Sequence, residues 1–319
     1  MLLDHLAGKR YLWFTISLIV IVPGLISLLV FGLRLGIDFT GGTQWELQFD
    51  HPVEVQTVRS ILAAHGYTDT VVQPVSLAGK PNVIQISMKE LNEGSPQKAA
   101  IEQDFKSKLG NFTELSIDSV GASVGSTISQ RAVFAIILAS IGILLYIAYA
   151  FRNTQNLWLY GLCALVAMLH DVLVVLGIFS ILGWVAHYEI DSLFVTALLT
   201  VIGFSVHDTI VVFDRIRENL ARRVSPSFEE VVNLSLAQTL VRSLNTSLTV
   251  VFTLLALYLF GGATTKEFVL ALLIGIVSGT YSSIFNASQL LVAWENGEIK
   301  RFFRRITGRA QGAATAASR

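Results

Sequence analysis

The chain alternates long apolar stretches with short polar connections. Stretches of about 18 or more nearly uncharged apolar residues are long enough to cross a bilayer as helices. The first stretch is too long for a secretory signal and has no small-residue cleavage site, so we expect it to remain as an anchor. The pattern predicts a membrane all-α protein with six transmembrane helices. The six stretches lie at residues 12–33, 132–151, 157–184, 192–213, 239–260 and 268–294.

Residues 34–131 break this pattern and have the composition of a soluble domain. The segment carries 19 charged residues, eight basic and eleven acidic. Apolar and polar residues alternate over 83–88, as in a strand with one buried face, and Ser95-Pro96 is typical of a helix start. The predicted strands are 44–49, 70–74, 82–88 and 114–120, and the predicted helices are 53–65 and 96–109. This βαββαβ order is that of an α+β ferredoxin-like domain.

Lysine and arginine are distributed unevenly between the two sides of the predicted bundle. With the N-terminus inside, the short inner segments hold 13 basic residues, whereas the two short outer loops hold only Lys266. The positive-inside rule then predicts cytoplasmic termini and an extracytoplasmic position for residues 34–131. The predicted domains are 1–33 with helix 1, 34–131 outside, 132–294 with helices 2–6, and a basic cytoplasmic tail at 295–319.

The predicted cytoplasmic connection, residues 214–238, is amphipathic in its first part. Phe213, Ile216 and Leu220 recur at helical spacing and oppose a group of charged side chains. This pattern predicts a helix that lies on the inner membrane face. We expect Ser225-Pro226 to end that helix and to begin a second short one.

The composition narrows the possible function classes. Hydrophobic residues make up 53% of the chain and charged residues 14%, with a mean hydropathy of +0.61. Its 23 basic and 23 acidic residues cancel, so it lacks the positive charge of a nucleic-acid-binding protein. One cysteine, Cys163, excludes an intramolecular disulfide and a cysteine-based zinc site. No P-loop and no H-E-x-x-H string occurs. We therefore expect a non-enzymatic protein without a cofactor or metal.

Three charged residues fall inside the predicted membrane helices: Asp171, Asp208 and Arg242. An ionisable side chain at the bilayer centre costs roughly 2.5–3.5 kcal/mol on insertion scales, so each needs a partner or water. Asp208 lies near the inner end of the fourth stretch, and Arg242 lies a similar distance into the fifth from the same side. Because these helices are consecutive and antiparallel, the two residues reach a similar depth. We therefore predict an Asp208–Arg242 pair.

Polar residues accompany this predicted pair. Ser205 shares the helix face of Asp208, and His207 lies on an adjoining face. One interpretation is a static ion pair that specifies helix packing. In the other, Asp208 binds a proton from one side and releases it to the other when a conformational change alters its surroundings. The fifth helix carries a stripe at i, i+3, i+4 and i+7 that consists of Arg242, Asn245, Thr246 and Thr249.

Asp171, near the middle of the third stretch, is a second candidate for proton binding. The alternative is a structural carboxylate that His170 or hydroxyl side chains satisfy. We interpret both His170 and His207 as packing or hydrogen-bonding residues. Cys163 is interpreted as a small apolar residue.

Four short strings carry a family resemblance. The string L-G-I-D-F-T-G-G at 35–42 follows the first stretch, and D-T-I-V-V-F-D-R-I-R-E-N at 208–219 closes the fourth. The fifth begins with R-S-L-N-T-S at 242–247 and ends with L-F-G-G at 259–262. In a six-helix layout, these strings closely resemble the SecD/SecF family of bacterial protein-export membrane proteins, which belongs to the resistance–nodulation–division superfamily. The resemblance covers the chain except its tail.

This resemblance implies one half of a twelve-helix unit in the bacterial cytoplasmic membrane, with SecD supplying the other half. It also implies that the pair assists the SecYEG channel and the SecA motor, using the proton-motive force to promote late translocation of preproteins. The positions implicated in proton conduction in the family match Asp208 and Arg242, and the third-helix aspartate matches Asp171. His207 departs from the asparagine that is common before the fourth-helix aspartate.

The resemblance also draws attention to Asp38, Gly41 and Gly42, which lie where the first helix joins the outer domain. A hinge or sheet-edge role is expected there, and a purely backbone role for the two glycines is the alternative.

Our main hypothesis is a proton-driven accessory subunit of the preprotein translocase. Protonation of Asp208 would loosen its pairing with Arg242, and helices 1 and 2 would carry the resulting shift to the outer domain, which grips or releases an emerging chain. A small-molecule proton-coupled exporter of the same superfamily is an alternative, although the outer domain is short for a drug-binding domain. A structural scaffold with a static ion pair is the third hypothesis.

Overall fold

The computed structural model describes residues 7–77, 79–152, 157–262, 265–299 and 301. Six helices in this part are long and apolar enough to cross a membrane. In chain order, the elements are α1 (Arg10–Val30), α2 (Ile37–Thr40), β1 (Gly42–Phe49), α3 (Val55–Ala64), β2 (Val71–Leu77), β3 (Lys80–Met88), α4 (Pro96–Leu109), β4 (Phe112–Val120), α5 (Ala122–Ala150), α6 (Leu157–Val185), α7 (Ser192–Ala221), α8 (Phe228–Phe260), α9 (Lys266–Ser282) and, after a π-helical segment at Ser283–Ala287, α10 (Ser288–Glu295). The predicted six-helix membrane architecture with an α+β domain is confirmed.

The outer domain has the predicted βαββαβ order. Its four strands are antiparallel and lie in the order β2-β3-β1-β4. Alternate residues of β1 are buried, which places Trp45, Leu47 and Phe49 in the domain core with Phe105 of α4. The indole N–H of Trp45 donates to Glu114 on β4 at 2.7 Å. The domain therefore has its own hydrophobic core, separate from that of the membrane helices.

The membrane helices are arranged around α6, α7 and α9. These three helices pack against one another, whereas α1 packs mainly on α6, and α8 lies against α7 and α9. The second membrane helix, α5, begins at Ala122, ten residues before the apolar stretch from which it was predicted. Hydropathy detects only the apolar segment that suits lipid, whereas the helix itself begins earlier in the chain, directly after Gly121.

The connection at residues 214–238, which was predicted to be cytoplasmic, differs in structure from the prediction. Instead of a separate helix on the membrane face, α7 continues to Ala221. Phe213 and Ile216 are fully buried within the bundle core, whereas Leu220 is exposed, so only the first part of this apolar face packs against protein. The amide of Asn219 donates to Ser235 Oγ on α8 at 2.8 Å. The two helices thus form a hairpin, and α8 begins at Phe228 and runs unbroken through the fifth predicted span.

Candidate functional site

Asp171 lies where α6, α7 and α9 meet, and it is 1% exposed. Four groups contact its carboxylate. Ser205 and Ser282 donate to Oδ2 at 2.5 and 2.6 Å, and Ser278 donates to Oδ1 at 2.7 Å. The Nδ1 atom of His170 lies 2.9 Å from Oδ1. An ionised carboxylate offers about four acceptor positions, so the hydrogen-bonding capacity of Asp171 is filled.

The sequence of α9 explains how this site is built. Ser278 and Ser282 are four residues apart and therefore share one helix face. Between them, Gly279 allows α9 to approach α7 closely. A Cβ atom at this position would lie 3.2 Å from Cβ of Ser205 and 3.6 Å from Oδ2 of Asp171. A larger residue would push the serines away from the carboxylate.

Asp208 occupies a second buried site, about one helical turn further along α7 than Ser205. It is 6% exposed. The Nδ1 atom of His207 lies 3.5 Å from its Oδ1, although the imidazole itself is 65% exposed. The hydroxyls of Ser247 on α8 and Thr280 on α9 lie beside the carboxylate and are 2.6 Å from each other. Asp208 therefore sits at the junction of α7, α8 and α9.

The structure does not bring Asp208 and Arg242 together. Arg242 lies on the exposed face of α8, and its guanidinium has no ion pair or hydrogen bond with any residue that the structure describes. The buried polar positions of α8 are Thr239, Ser243 and Ser247. Spacing in sequence identifies residues that share a face, but it does not say which way the face points. The rest of the predicted stripe is exposed together with Arg242, namely Asn245, Thr246 and Thr249.

Ser205 also has a different partner from the one expected. It was predicted to support Asp208, but it donates to Asp171. Its backbone oxygen accepts hydrogen bonds from Thr209 at 2.9 Å and from Ser283 at 3.1 Å. The hydroxyls of Thr209 and Ser283 are 2.9 Å apart. A seam of hydroxyl groups therefore runs through the packed helices beside the two carboxylates.

The sequence prediction missed most of this seam. The hydroxyl-rich string at 278–283 contains Ser278, Thr280, Ser282 and Ser283, and its four-residue repeat of serine is a signal that an amphipathicity search would detect. The π-helical segment Ser283–Ala287 follows it directly, and such segments are frequent at functional sites. Within it, Asn286 bonds to Ser17 of α1, the kind of interhelical contact expected for this side chain.

The glycines after Asp38 have a backbone role. Gly41 and Gly42 have φ angles of +73° and +130°, which side chains rarely tolerate. A Cβ atom on Gly42 would lie 2.5 Å from the carbonyl oxygen of Met88 on the neighbouring strand. Glycine is therefore required where α2 turns into the first strand of the outer domain.

Asp38 links this turn to the membrane helices. Its Oδ2 accepts hydrogen bonds from the backbone N–H of Ser192 at 2.9 Å and from its hydroxyl at 2.5 Å. Asp191, the N-cap of α7, accepts from the N–H of Phe194 at 2.8 Å. Burial raises the pKa of Asp191, the Phe194 hydrogen bond opposes this, and the charge of Asp38 adds to it. Two carboxyl groups thus meet at the start of the helix that carries Asp208.

Family models match most of the chain. Residues 100–297 match the C-terminal region of the SecD/SecF protein-export membrane proteins, and residues 26–53 match the SecD/SecF GG motif. The chain is 62% identical to the protein translocase subunit SecF of Thermobaculum terrenum over 93% of its own length and 95% of that protein. It is 37% identical to the protein translocase subunit SecDF of Bacillus subtilis, where it covers 92% of itself and 38% of the relative.

Solved structures give the same architecture. The crystal structure of SecDF from Thermus thermophilus, described as a translocon-associated membrane protein, matches with a TM-score of 0.79 at 33% identity. The match covers 93% of this chain and 40% of that chain. A SecDF structure in a super-membrane-facing form matches with a TM-score of 0.64 at 34% identity, over 93% of this chain and 39% of the other. The chain spans about two fifths of these SecDF chains.

Proposed function

Because the chain belongs to the SecD/SecF family of protein-export membrane proteins, we propose that it is an accessory subunit of the Sec preprotein translocase. In this proposal, it works with SecD and uses the proton-motive force to promote late translocation of preproteins through the SecYEG channel, after the SecA motor has acted. The subunit is non-catalytic and lies in the bacterial cytoplasmic membrane, with both termini inside and the ferredoxin-like domain outside.

The burial of two carboxylates between membrane helices carries this proposal. Asp171 and Asp208 are both less than a tenth exposed, and hydroxyl groups surround them. Buried ionisable groups in membrane helices commonly mark ion or proton pathways. A transmembrane potential supplies about 2.3 kcal/mol per charge per 100 mV. That energy is similar to the roughly 1.5–3 kcal/mol of one hydrogen bond to a charged group, so one proton can drive the rearrangement of about one such contact.

Asp208 is the proposed centre of coupling. Its carboxylate interacts with Ser247 on α8 and Thr280 on α9, so a change in its charge alters contacts between three helices. When a proton neutralises Asp208, these hydroxyls lose a neighbouring negative charge, and the packing of α7 against α8 and α9 relaxes. This replaces the expected loosening of an Asp208–Arg242 pair, which the single chain does not contain.

Arg242 is proposed to act at the contact with SecD. A row of exposed polar and charged side chains is unfavourable against lipid, and the outward face of α8 therefore needs a protein neighbour. The SecDF relatives contain this chain as less than half of their length, which supports the presence of a second membrane half. The residues assigned to this contact are Arg242, Asn245, Thr246 and Thr249.

In this proposal, the outer domain is the part that moves in response to the membrane helices. Asp38 connects the first residue of α7 to the turn before β1, so a movement of α7 reaches the domain through one short segment. The two solved SecDF structures match this chain at nearly equal identity but with TM-scores of 0.79 and 0.64, which supports more than one arrangement of the family architecture.

Release of a late translocation intermediate from vesicles tests the proposal. The vesicles contain the channel, SecD and either the wild-type chain or Asp208→Asn, and a proton gradient is imposed or collapsed with a protonophore. We expect Asp208→Asn to lose the gradient-dependent step while assembling normally. The matched control is Asp214→Asn, on the same helix but 57% exposed and paired with Arg217.

Full gradient-dependent release by Asp208→Asn would contradict the proposal and leave Asp208 a structural group. Transport of a small substrate by the SecD-containing complex without any preprotein would instead favour the alternative function, a small-molecule proton-coupled exporter.

A further inference from the structure

His170 has one ring nitrogen in use and one that is not. Nδ1 contacts Asp171, whereas Nε2 is buried and has no hydrogen-bond partner among the residues that the structure describes. The side chain is only 10% exposed. Buried polar atoms in native proteins are nearly always paired, and an unpaired one in a membrane core calls for a functional explanation.

Asp171 decides which nitrogen of His170 carries the proton. Its Oδ2 accepts from Ser205 and Ser282, and its Oδ1 accepts from Ser278, so the carboxylate acts as an acceptor throughout. The neutral imidazole must then donate from Nδ1, which leaves the lone pair on Nε2. A buried carboxylate that holds an imidazole in this tautomer prepares the other nitrogen to act as a base.

The imidazole of His170 borders a crevice, although its Nε2 atom is itself buried. A cavity of about 510 Å³ lies between α1, α6 and α9, and His170 is among its lining residues. Ile178, also in its lining, is eight residues further along α6, so the crevice extends about 12 Å from His170 towards the outer end of that helix. Apolar side chains make up most of the wall, including Ile16, Val20, Val174, Ile178 and Val277.

The few polar groups of the crevice are already engaged elsewhere. The hydroxyl of Tyr281 donates to the carbonyl oxygen of Trp13 at 2.8 Å. Ser17 bonds to Asn286, and Ser278 donates to Asp171. None of these hydroxyls therefore provides a hydrogen bond to Nε2, and its lone pair has no partner among the described residues.

We propose that Nε2 of His170 is a proton-accepting site on the outer side of the hydroxyl seam, with Asp171 as its positioning residue. The inference rests on the proposed function, because it gives an inward-moving proton an acceptor before Asp208. When the crevice wall opens beside the ring, a hydronium ion that reaches Nε2 transfers its proton and leaves water, so one N–H bond forms and the imidazole becomes an imidazolium. Nδ1 keeps its proton and its bond to Asp171, whose negative charge stabilises the cation.

Few other titratable groups face His170 within the described residues. Asp171 lies beside it on α6, and the ring of Tyr281 on α9 is 6.3 Å away between centroids. From α1, the crevice receives Ile16, Ser17 and Val20, none of which titrates. Histidine ordinarily changes charge between about pH 5 and 8, whereas tyrosine does not. A pH dependence in this range that is lost on substitution of His170 therefore reports on the imidazole.

Substitution of His170 by asparagine tests the inference. The side-chain amide introduced by His170→Asn keeps a donor near the position of Nδ1 but has no nitrogen that accepts a proton. We expect gradient-dependent release to slow by roughly 10²-fold and to depend less on outside pH between about 5.5 and 8. The control is His187→Asn, which removes an exposed histidine that contacts Arg34 in an outer loop and is expected to leave the pH profile unchanged.

A wild-type rate and pH profile in His170→Asn would overturn the inference. Nitrogen-15 NMR of histidine-labelled wild-type protein, assembled with SecD in vesicles, gives an independent answer should the variant fail to assemble. As pH falls, we expect the Nε2 resonance of His170 to move to the chemical shift of a protonated ring nitrogen. The Nδ1 resonance should stay at the chemical shift of a protonated nitrogen throughout. An Nε2 that remains unprotonated down to about pH 5 would also overturn it.

The two proposals fail separately. Loss of gradient dependence in Asp208→Asn with a wild-type profile in His170→Asn would remove only the role of His170. Retention of gradient dependence in Asp208→Asn would instead remove the proposed centre of coupling, whatever the result at His170.

Discussion

Asp38 and Ser192 join two parts of the molecule that are far apart in sequence. The carboxylate of Asp38 accepts from both the backbone N–H and the hydroxyl of Ser192, at 2.9 and 2.5 Å. Ser192 begins α7, which carries Asp208, and a negative charge at a helix N-terminus is favourable. Next to this contact, Gly36 donates to the carbonyl oxygen of Ile190 at 2.9 Å. The outer domain is therefore tied directly to α7 and not only through α1 and α5.

Asp38→Asn tests the importance of this link. An amide oxygen accepts a hydrogen bond more weakly than a carboxylate does, so we expect a loss of about 1–3 kcal/mol at the junction. Hydrogen exchange at the Ser192 amide should rise, and gradient-dependent release should slow severalfold. Asp50→Asn, at an exposed position of the outer domain, is the matched control. Unchanged protection of the Ser192 amide in Asp38→Asn would show that the link contributes nothing.

Gly42→Ala is expected to destabilise the start of the outer domain. The added methyl group would lie 2.5 Å from the Met88 carbonyl oxygen, and alanine is strained at a φ of +130°. Strain of this kind costs about 1–3 kcal/mol. Hydrogen exchange of β1 and β3 in the full chain measures the effect. Gly142→Ala on α5, where an added methyl meets no atom within 4 Å, should leave exchange unchanged. Equal protection in both variants would contradict the backbone role of Gly42.

Ser282→Ala should weaken the packing around Asp171. It removes a 2.6 Å hydrogen bond to a buried carboxylate and leaves Oδ2 with Ser205 as its donor. The expected loss is about 1–3 kcal/mol, seen as a lower thermal midpoint in detergent. Ser140→Ala is the control, since that hydroxyl bonds only to the Ile136 carbonyl of its own helix. A midpoint as high as that of the control would mean that Ser282 does not hold the carboxylate.

The outer end of α7 should become less stable as pH rises above about 4. Burial raises the pKa of Asp191 above its ordinary value of 3.8. A carboxyl whose folded-state pKa is raised stabilises the fold fully below the unfolded value and loses that contribution as pH rises through the folded value. Burial also raises the pKa of Glu189, although Arg34 opposes this.

Hydrogen exchange at the Phe194 amide, corrected for its intrinsic pH dependence, measures this effect. Asn is as good an N-cap as Asp and does not titrate, so Asp191→Asn should reduce the dependence. Asp191→Asn combined with Glu189→Gln should reduce it further, and the neighbouring Glu267, a third carboxyl that interacts with both, accounts for what remains. An unchanged slope in the double variant would exclude these two groups as its source.

Several parts of the site followed from local sequence, and others did not. The burial of Asp171 and Asp208 was predictable, because both lie within long apolar stretches. The hydrogen-bond partners of these two carboxylates were not predictable from the sequence. Ser205 was expected beside Asp208 but donates to Asp171 on α6. A step of three residues along α7 is less than a whole helical turn, so the side chains of Ser205 and Asp208 face different neighbouring helices. The outward position of Arg242 was also unforeseen, since spacing on α8 defines a face and not its direction.

The sequence by itself determined the number of membrane helices, the βαββαβ domain and the presence of buried charge. Hydropathy and periodicity are local properties, and a few neighbouring residues suffice to specify them. The tertiary structure alone decided which hydroxyls surround each carboxylate, that Asp38 reaches Ser192, and that Nε2 of His170 is left without a partner among the described residues. These relationships depend on how each helix rotates about its axis when it packs, and side chains from distant parts of the chain set that rotation together.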